Sequence, residues 1–385
     1  MNFETFNFHP WVAAGIVTAG YDRPTPIQAG AIPHIVRGRD VMGLAQTGTG
    51  KTAAFILPIL QRLAVTDPGG IRTLIIAPTR ELAEQIHQTV EILGRQTRIR
   101  CVAIYGGVGI HRQIQKLKRA DIVVACPGRL LDHIRRHSID FSQLKTLVLD
   151  EADHMLDMGF IPDVRQILKH LPKSRQTLVF SATMPPEIRR LTETILNDPV
   201  TVKIGITAPA DTVNHAFYPV AQHLKTALLL NLLENKNTDS VLIFTRTKHR
   251  AKHLGKKLLT AGYPSASLQG NLSQSRRQAA LNGFRDGKFK ILVATDIAAR
   301  GIDVSRISHV INYDIPSTPD AYIHRIGRTG RATRSGEAYT FVTGEDKKMV
   351  NAINRAVGSK IEQRALPTFT QRCKSQRASE PRRQG

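Results

Sequence analysis

Cysteine is scarce in this chain: Cys101, Cys126 and Cys373 are the three in 385 residues. Their odd number and wide spacing exclude a C-x-x-C pair and a disulfide framework, and they fit a reducing, cytoplasmic setting. No apolar run is long enough to span a bilayer. The amino terminus, MNFETFNFHP, lacks a basic stretch followed by an apolar one, so no signal peptide is expected. Tryptophan is limited to Trp11, read as a packing residue rather than a base-stacking one. Acidic residues are also in deficit: 31 Asp and Glu face 54 Lys and Arg, a net charge of +23 with a pI near 10.4. Such a surplus repels itself until an anion neutralises it. Nucleic acid is the leading partner, because phosphate neutralisation releases condensed counterions. An acidic membrane surface is the weaker alternative, since no basic amphipathic helix with a strong aromatic face stands out.

What is present is the composition of a folded protein, 41% hydrophobic and 22% charged, long enough for two or three domains. Short β-branched runs at residues 73–77, 122–125, 146–149 and 177–180 read as buried strands alternating with helical patterns. The rhythm returns at 240–244, 291–294 and 309–312. Near-continuous apolar strands belong to parallel sheets covered on both faces. An α/β fold of two doubly wound halves follows. Residues 205–213, GITAPADTV, read as the linker between them. The tail at 366–385 is polar and basic and reads as disordered, either an RNA-contacting arm or a solvated end.

Residues 45–52, AQTGTGKT, lie between a strand at 40–44 and a helical start at 53–57, the context a phosphate-binding loop requires. Gly48 and Gly50 let backbone N–H groups turn towards a phosphate, with Ala45, Gln46, Thr47 and Thr49 completing the loop. Lys51 is expected to reach the β- and γ-phosphates, and Thr52 to hold Mg²⁺. The strict pattern has Gly where Ala45 stands. Residues 147–153, LVLDEAD, put acidic groups at the tip of an apolar strand. Asp150 is expected to hold Mg²⁺, and Glu151 to orient or deprotonate the attacking water. The ligand implied is a nucleoside triphosphate with its Mg²⁺. His249 and His253 sit four apart without a third ligand, and Ser181 has no G-x-S-x-G elbow, so neither a metal pair nor a nucleophile is assigned.

Asp150-Glu151-Ala152-Asp153 spells the signature of the DEAD-box RNA helicases, which this chain resembles over roughly residues 3–345. Residues 20–28, GYDRPTPIQ, are similar to the Q motif, so 1–29 is marked as a Q-motif region. The resemblance then implies RecA-like domains at 30–204 and 214–365. It implies that Gln28 reads adenine, that Phe3 is the stacking aromatic and that Tyr21 lies in the same site. PTRELA at 78–83, Gly106-Gly107 and CPGR at 126–129 resemble RNA-contacting motifs, implying Pro78, Thr79, Arg80, Gly107, Pro127, Gly128 and Arg129 as RNA-binding. Cys126 stands where the family usually has Thr, which puts an RNA role at that position in doubt. SAT at 181–183 implies Ser181 and Thr183 as coupling residues. In the second half, IFTRT within 241–247, Gly270 and ATDIAARGID at 294–303 imply Thr245, Arg246, Gly270 and Thr295 on RNA, and Gly301 and Asp303 at the nucleotide. HRIGRTGR at 324–331 implies His324 in coupling and Arg328 and Arg331 as arginine fingers.

The resemblance implies an ATP-dependent RNA helicase that binds single-stranded RNA and opens short duplexes, with hydrolysis in a cleft that opens and closes between the domains. An ATP-gated RNA clamp or annealing protein and a DNA helicase are the alternatives. The second half looks like the bacterial RhlE group. A monomer is expected, with the pathway open between ribosome assembly and RNA decay and the proteins of either as candidate partners.

Overall fold

A computed structural model describes residues 2–46, 48–67, 69–204, 213–235, 238–299, 307–330 and 336–365. The chain divides into two units, Met1–Ile206 and Thr207–Gly385.

The first unit is built on a wholly parallel sheet of β1 (Val41–Leu44), β2 (Thr73–Ile76), β3 (Cys101–Ile104), β4 (Ile122–Ala125), β5 (Thr146–Asp150), β6 (Gln176–Ser181) and β7 (Val200–Lys203). Their spatial order is β3-β4-β2-β5-β6-β1-β7. The strand runs are apolar on both faces because both faces are covered. On β2, Ile75 joins a core with Phe55, Leu60, Val124 and Phe180, while Leu74 and Ile76 join the opposite core with Leu147, Leu149 and Val164. The amino-terminal helices pack into the first of these cores through Phe3, Val12, Ile16 and Ile27. Trp11, expected to pack, is instead 46% exposed, with its ring 4.7 Å from that of His9.

The second unit repeats the plan with β8 (Val213–Pro219), β9 (Val241–Phe244), β10 (Ser265–Leu268), β11 (Ile291–Ala294), β12 (His309–Asn312), β13 (Gly336–Val342) and β14 (Glu362–Gln363). Its order is β10-β11-β9-β12-β13-β8-β14, the first order with every index raised by seven. The two sheets therefore have the same topology. All the strands run the same way, so the loops at their carboxyl ends share one edge of each sheet. Ligands of open α/β sheets bind at that edge.

The stretch read as a linker lies outside the described residues except for Val213, which opens β8. The tail at 366–385, together with Thr47, Gly301, Asp303 and Arg331, also lies outside them. Among the described residues no helix is long and apolar enough to cross a membrane.

Candidate nucleotide and RNA sites

In the first unit the phosphate loop follows β1, the acidic pair follows β5, and Ser181-Ala182-Thr183 follows β6. These three strands are neighbours in the sheet. Ala45 is 3% exposed, and its N–H donates to the Ser181 carbonyl at 3.0 Å, continuing the β1–β6 ladder. It has no positive φ, so the position does not require the Gly of the strict pattern. Gly50 does: its φ is +91°, and a Cβ there would lie 2.6 Å from Gln28 Nε2. Gly50 caps the helix Lys51–Ala64, whose first N–H groups face the loop. The Lys51 Nζ donates to the Ala45 carbonyl at 2.8 Å and is buried.

Gln28, expected at the adenine, is held at both ends of its amide. Its Oε1 accepts from the Thr25 N–H at 2.9 Å, and its Nε2 donates to the Gly50 carbonyl at 3.1 Å. The side chain thus braces the phosphate loop from the helix Pro26–Val36. Phe3 is 8% exposed, its ring stacked on Tyr21 at 6.3 Å and edge-on to Phe6 at 6.1 Å. Tyr21, at 37% exposed, is the more accessible ring of the stacked pair.

Asp150 and Glu151 are 2% and 3% exposed. Burial pushes the Asp150 carboxyl well above the usual carboxylate range, and the Lys51 ammonium pulls it back. The carboxylate of Asp150 and the hydroxyl of Thr52 are hard oxygen donors, the chemistry Mg²⁺ takes alongside substrate phosphates. Glu151 has φ +54° and ψ +52°, left-handed values that cost a non-glycine residue about 1–3 kcal/mol. That turn redirects the chain from β5 into the helix Ala152–Asp157. The Glu151 Oε2 lies 2.8 Å from His154 Nδ1. Asp153 ties this segment to Ser181-Ala182-Thr183. Its Oδ2 accepts from Ala182 N at 3.1 Å, Thr183 N at 2.8 Å and Thr183 Oγ1 at 3.1 Å. Ser181 Oγ donates to the Thr183 carbonyl at 2.7 Å and accepts from Asp153 N at 3.2 Å.

The residues expected on RNA follow β2, β3 and β4, the other half of the same edge. Arg80 lies against Gly106 and Gly107; Gly107 has φ +82°, and a Cβ there would stand 2.3 Å from Arg80 Nη1. Thr79 Oγ1 accepts from Leu82 N at 3.2 Å, capping the helix Arg80–Leu93. Pro78 and Thr79 are buried, whereas Gly107 and Gly128 are exposed. Arg129 Nη1 donates to the Val108 carbonyl at 3.0 Å and to Gln113 Oε1 at 2.9 Å.

Cys126 is the N-cap of the helix Pro127–Arg135, whose first residue is Pro127, and makes no side-chain capping bond. Its side chain packs against the apolar core, and burial pushes the thiol up to about 12, leaving it protonated and a poor nucleophile. Cys126→Thr is therefore expected to add a capping oxygen and stabilise the first unit by about 1 kcal/mol. A raised urea midpoint at unchanged slope reports it; a lowered midpoint means the cap is not formed.

In the second unit Thr245 and Arg246 follow β9, Gly270 follows β10 and Thr295 follows β11, the strands that correspond to β2, β3 and β4. Thr245, expected on RNA, is 0% exposed, and its hydroxyl donates to the Thr247 carbonyl at 3.4 Å. Arg246 is exposed, and its N–H donates to Asp314 Oδ2 at 2.9 Å. Asp314 also accepts from Arg250 Nη1 at 2.6 Å, with Lys225 Nζ at 3.6 Å. Arg328 is 5% exposed; His324 is intermediate.

Sequence reasoning passed over Asp296 and Arg325, which sit inside the motif strings. Arg325 is clamped by both oxygens of Asp296 at 2.6 and 2.7 Å, and it donates to Asn312 Oδ1 and the Asp314 carbonyl. This fork joins the segment after β11 to the helix Pro319–Ile326. Asp296→Ala leaves the buried guanidinium without its counter-charge, an expected loss of about 3 kcal/mol in the second unit. Chemical denaturation checks it, and an unchanged transition contradicts it. Histidines 249 and 253 are exposed, and among the described residues no cluster of three His, Cys, Asp or Glu side chains is arranged to hold a metal.

Comparison with known proteins agrees with this layout. The DEAD/DEAH box helicase family profile matches residues 25–191, and the helicase conserved C-terminal domain matches 224–333. The chain is 43% identical over 381 residues to the ATP-dependent RNA helicase CshA of Limosilactobacillus reuteri, covering 98% of this chain and 76% of that one. It is 42% identical over 378 residues to the DEAD-box ATP-dependent RNA helicase CshA of Geobacillus kaustophilus, covering 97% and 80%. Among solved structures, Saccharomyces cerevisiae Dbp5 bound to RNA and ADP BeF3 superposes with a TM-score of 0.84 at 30% identity, covering 98% of this chain and 99% of that one. Two tandem RecA-like domains carry these motifs in the same order along nearly the whole chain, so this protein belongs to the DEAD-box family of ATP-dependent RNA helicases.

Proposed function

We propose that the chain binds single-stranded RNA across both units and opens short duplexes or remodels ribonucleoprotein as it hydrolyses ATP. One observation carries the reading. The shared strand order puts the phosphate loop, the acidic pair and Ser181-Ala182-Thr183 at the ends of β1, β5 and β6. It puts the candidate RNA residues at the ends of corresponding strands in the two units.

Phosphoryl transfer needs positioning and charge stabilisation more than covalent chemistry. Residues 45–52 cradle the phosphates, with Lys51 on the β- and γ-phosphates. Tyr21, Phe3 and Gln28 serve the adenine, and Gly301 and Asp303 are assigned to the nucleotide as well. Thr52 and Asp150 would hold Mg²⁺, which when bound neutralises phosphate charge. Glu151 orients the attacking water and takes its proton. Arg328 and Arg331 supply the positive charge the transition state requires, so hydrolysis waits on the second unit. His324, Ser181 and Thr183 connect that step to the RNA. Pro78, Thr79, Arg80, Gly107, Pro127, Gly128, Arg129, Thr245, Arg246, Gly270 and Thr295 grip the backbone, which gives little sequence preference; contact with 2′-hydroxyls selects RNA over DNA.

Two ligands that both favour the joined state assist each other's binding. We further propose a cytoplasmic monomer acting in ribosome assembly or RNA decay. The RhlE-like placement expected from sequence is likewise a proposal about subgroup; the curated relatives named above are CshA proteins.

Steady-state ATPase with RNA and DNA oligonucleotides of one sequence, beside displacement of a short RNA strand, tests the reading. RNA-selective stimulation and ATP-dependent displacement are expected. Equal stimulation by DNA, or displacement without ATP, contradicts it.

A further inference from the structure

We propose that His154 is a positioning residue for ATP hydrolysis. Its imidazole holds one oxygen of the Glu151 carboxylate so that the other faces the attacking water. The inference rests on the reading of Glu151 as the base, and it adds a residue outside the four-letter signature.

Glu151 leaves β5 in a left-handed conformation and enters the helix Ala152–Asp157 as its N-cap. The residue three positions further along a helix is a surface neighbour, and here that neighbour is His154. Its Nδ1 lies 2.8 Å from Glu151 Oε2, and both residues are 3% exposed. An ionised carboxylate only accepts hydrogen bonds, so Nδ1 must carry the proton. A neutral imidazole protonated at Nδ1 satisfies this, and no change of charge is invoked. Asp153, between the two, bridges to the segment after β6: its Oδ2 takes the N–H groups of Ala182 and Thr183, while its Oδ1 accepts from the His154 backbone N–H at 3.1 Å.

General-base catalysis depends on geometry before proton affinity. A base held by a third group recurs wherever a proton must be taken from a defined direction. With Oε2 anchored, rotation of the carboxylate is restrained, and Oε1 is the oxygen assigned to receive the proton. Small displacements of such a group lower the rate far more than they lower substrate affinity.

The test is the steady-state ATPase of the full chain with a saturating single-stranded RNA oligonucleotide, for wild type, His154→Ala, His154→Phe, His154→Asn, His154→Gln and Glu151→Gln. Asn places its amide nitrogen where Nδ1 stands, whereas Gln places it nearer the position of Nε2. For the Ala and Phe variants kcat is expected to fall at least about tenfold while the KM for ATP and the Kd for RNA stay within about twofold. Asn is expected to recover most of the lost rate and Gln much less. Thermal unfolding midpoints identify any variant that folds poorly; if Ala or Phe does, the Asn and Gln pair decides. Ala and Phe variants with near-normal kcat, Gln equal to Asn, or a KM rising in step with the lost rate would overturn the proposal. Glu151→Gln separates the two levels. If it is inactive while the His154 variants are normal, only the positioning role is lost. Normal turnover by Glu151→Gln removes the base and the positioning role with it.

Discussion

Glu151→Gln is expected to lower RNA-stimulated ATP turnover at least about 100-fold, the scale of general-base assistance, while ATP and RNA still bind. The substitution is nearly isosteric. Glutamine keeps a carbonyl oxygen that can accept from His154 Nδ1, the contact seen at 2.8 Å, so the left-handed turn after β5 and the helix behind it should persist. What disappears is the capacity to take a proton from water. Lys51, proposed to hold the phosphates, and Asp150 are untouched, so nucleotide affinity should hold. A coupled ATPase assay beside equilibrium binding of a fluorescent ATP analogue and of RNA checks both halves. Turnover within tenfold of wild type would show that another group, or water alone, accepts the proton.

Arg331→Ala carries the second large effect. An arginine finger is worth about 10³–10⁵ in rate, and the loss should fall on kcat with little change in ATP affinity. Arg328 is a less clean target, because at 5% exposed its removal also disturbs packing. Arg331→Lys sharpens the test: lysine keeps a charge but loses the planar fork, so most of the deficit should remain. Equal losses in kcat and in ATP affinity would argue for a plain binding residue.

Much of this architecture was legible in the residues. β2, β4, β5, β9, β11 and β12 read correctly because each is a short apolar run buried on both faces. β3, β7 and β10 were passed over for a physical reason. β3 and β10 are terminal in their sheets and β7 borders β1 alone, so their burial is broken, and SASL at 265–268 carries little β propensity. β13 begins Gly-Glu, which reads as a turn. The Gly, Lys and acidic residues proposed for the nucleotide stand in contiguous strings, and these strings follow the neighbouring strands β1 and β5–β6. The fork between Asp296 and Arg325 was not legible, since it joins residues 29 apart and depends on where two loops meet. Nor was the burial of the Thr245 side chain, which depends on how the end of β9 packs.

The account turns on ATP turnover needing both units and an RNA strand. The most direct measurement compares the RNA-stimulated ATPase of the whole chain with that of the first unit, Met1–Ile206, which has its own sheet and cores on both faces. The account predicts that the isolated unit folds, turns over ATP at least about 1,000-fold more slowly and ignores RNA, because the arginines are missing. A first unit that hydrolysed ATP as fast as the whole chain, with or without RNA, would contradict it.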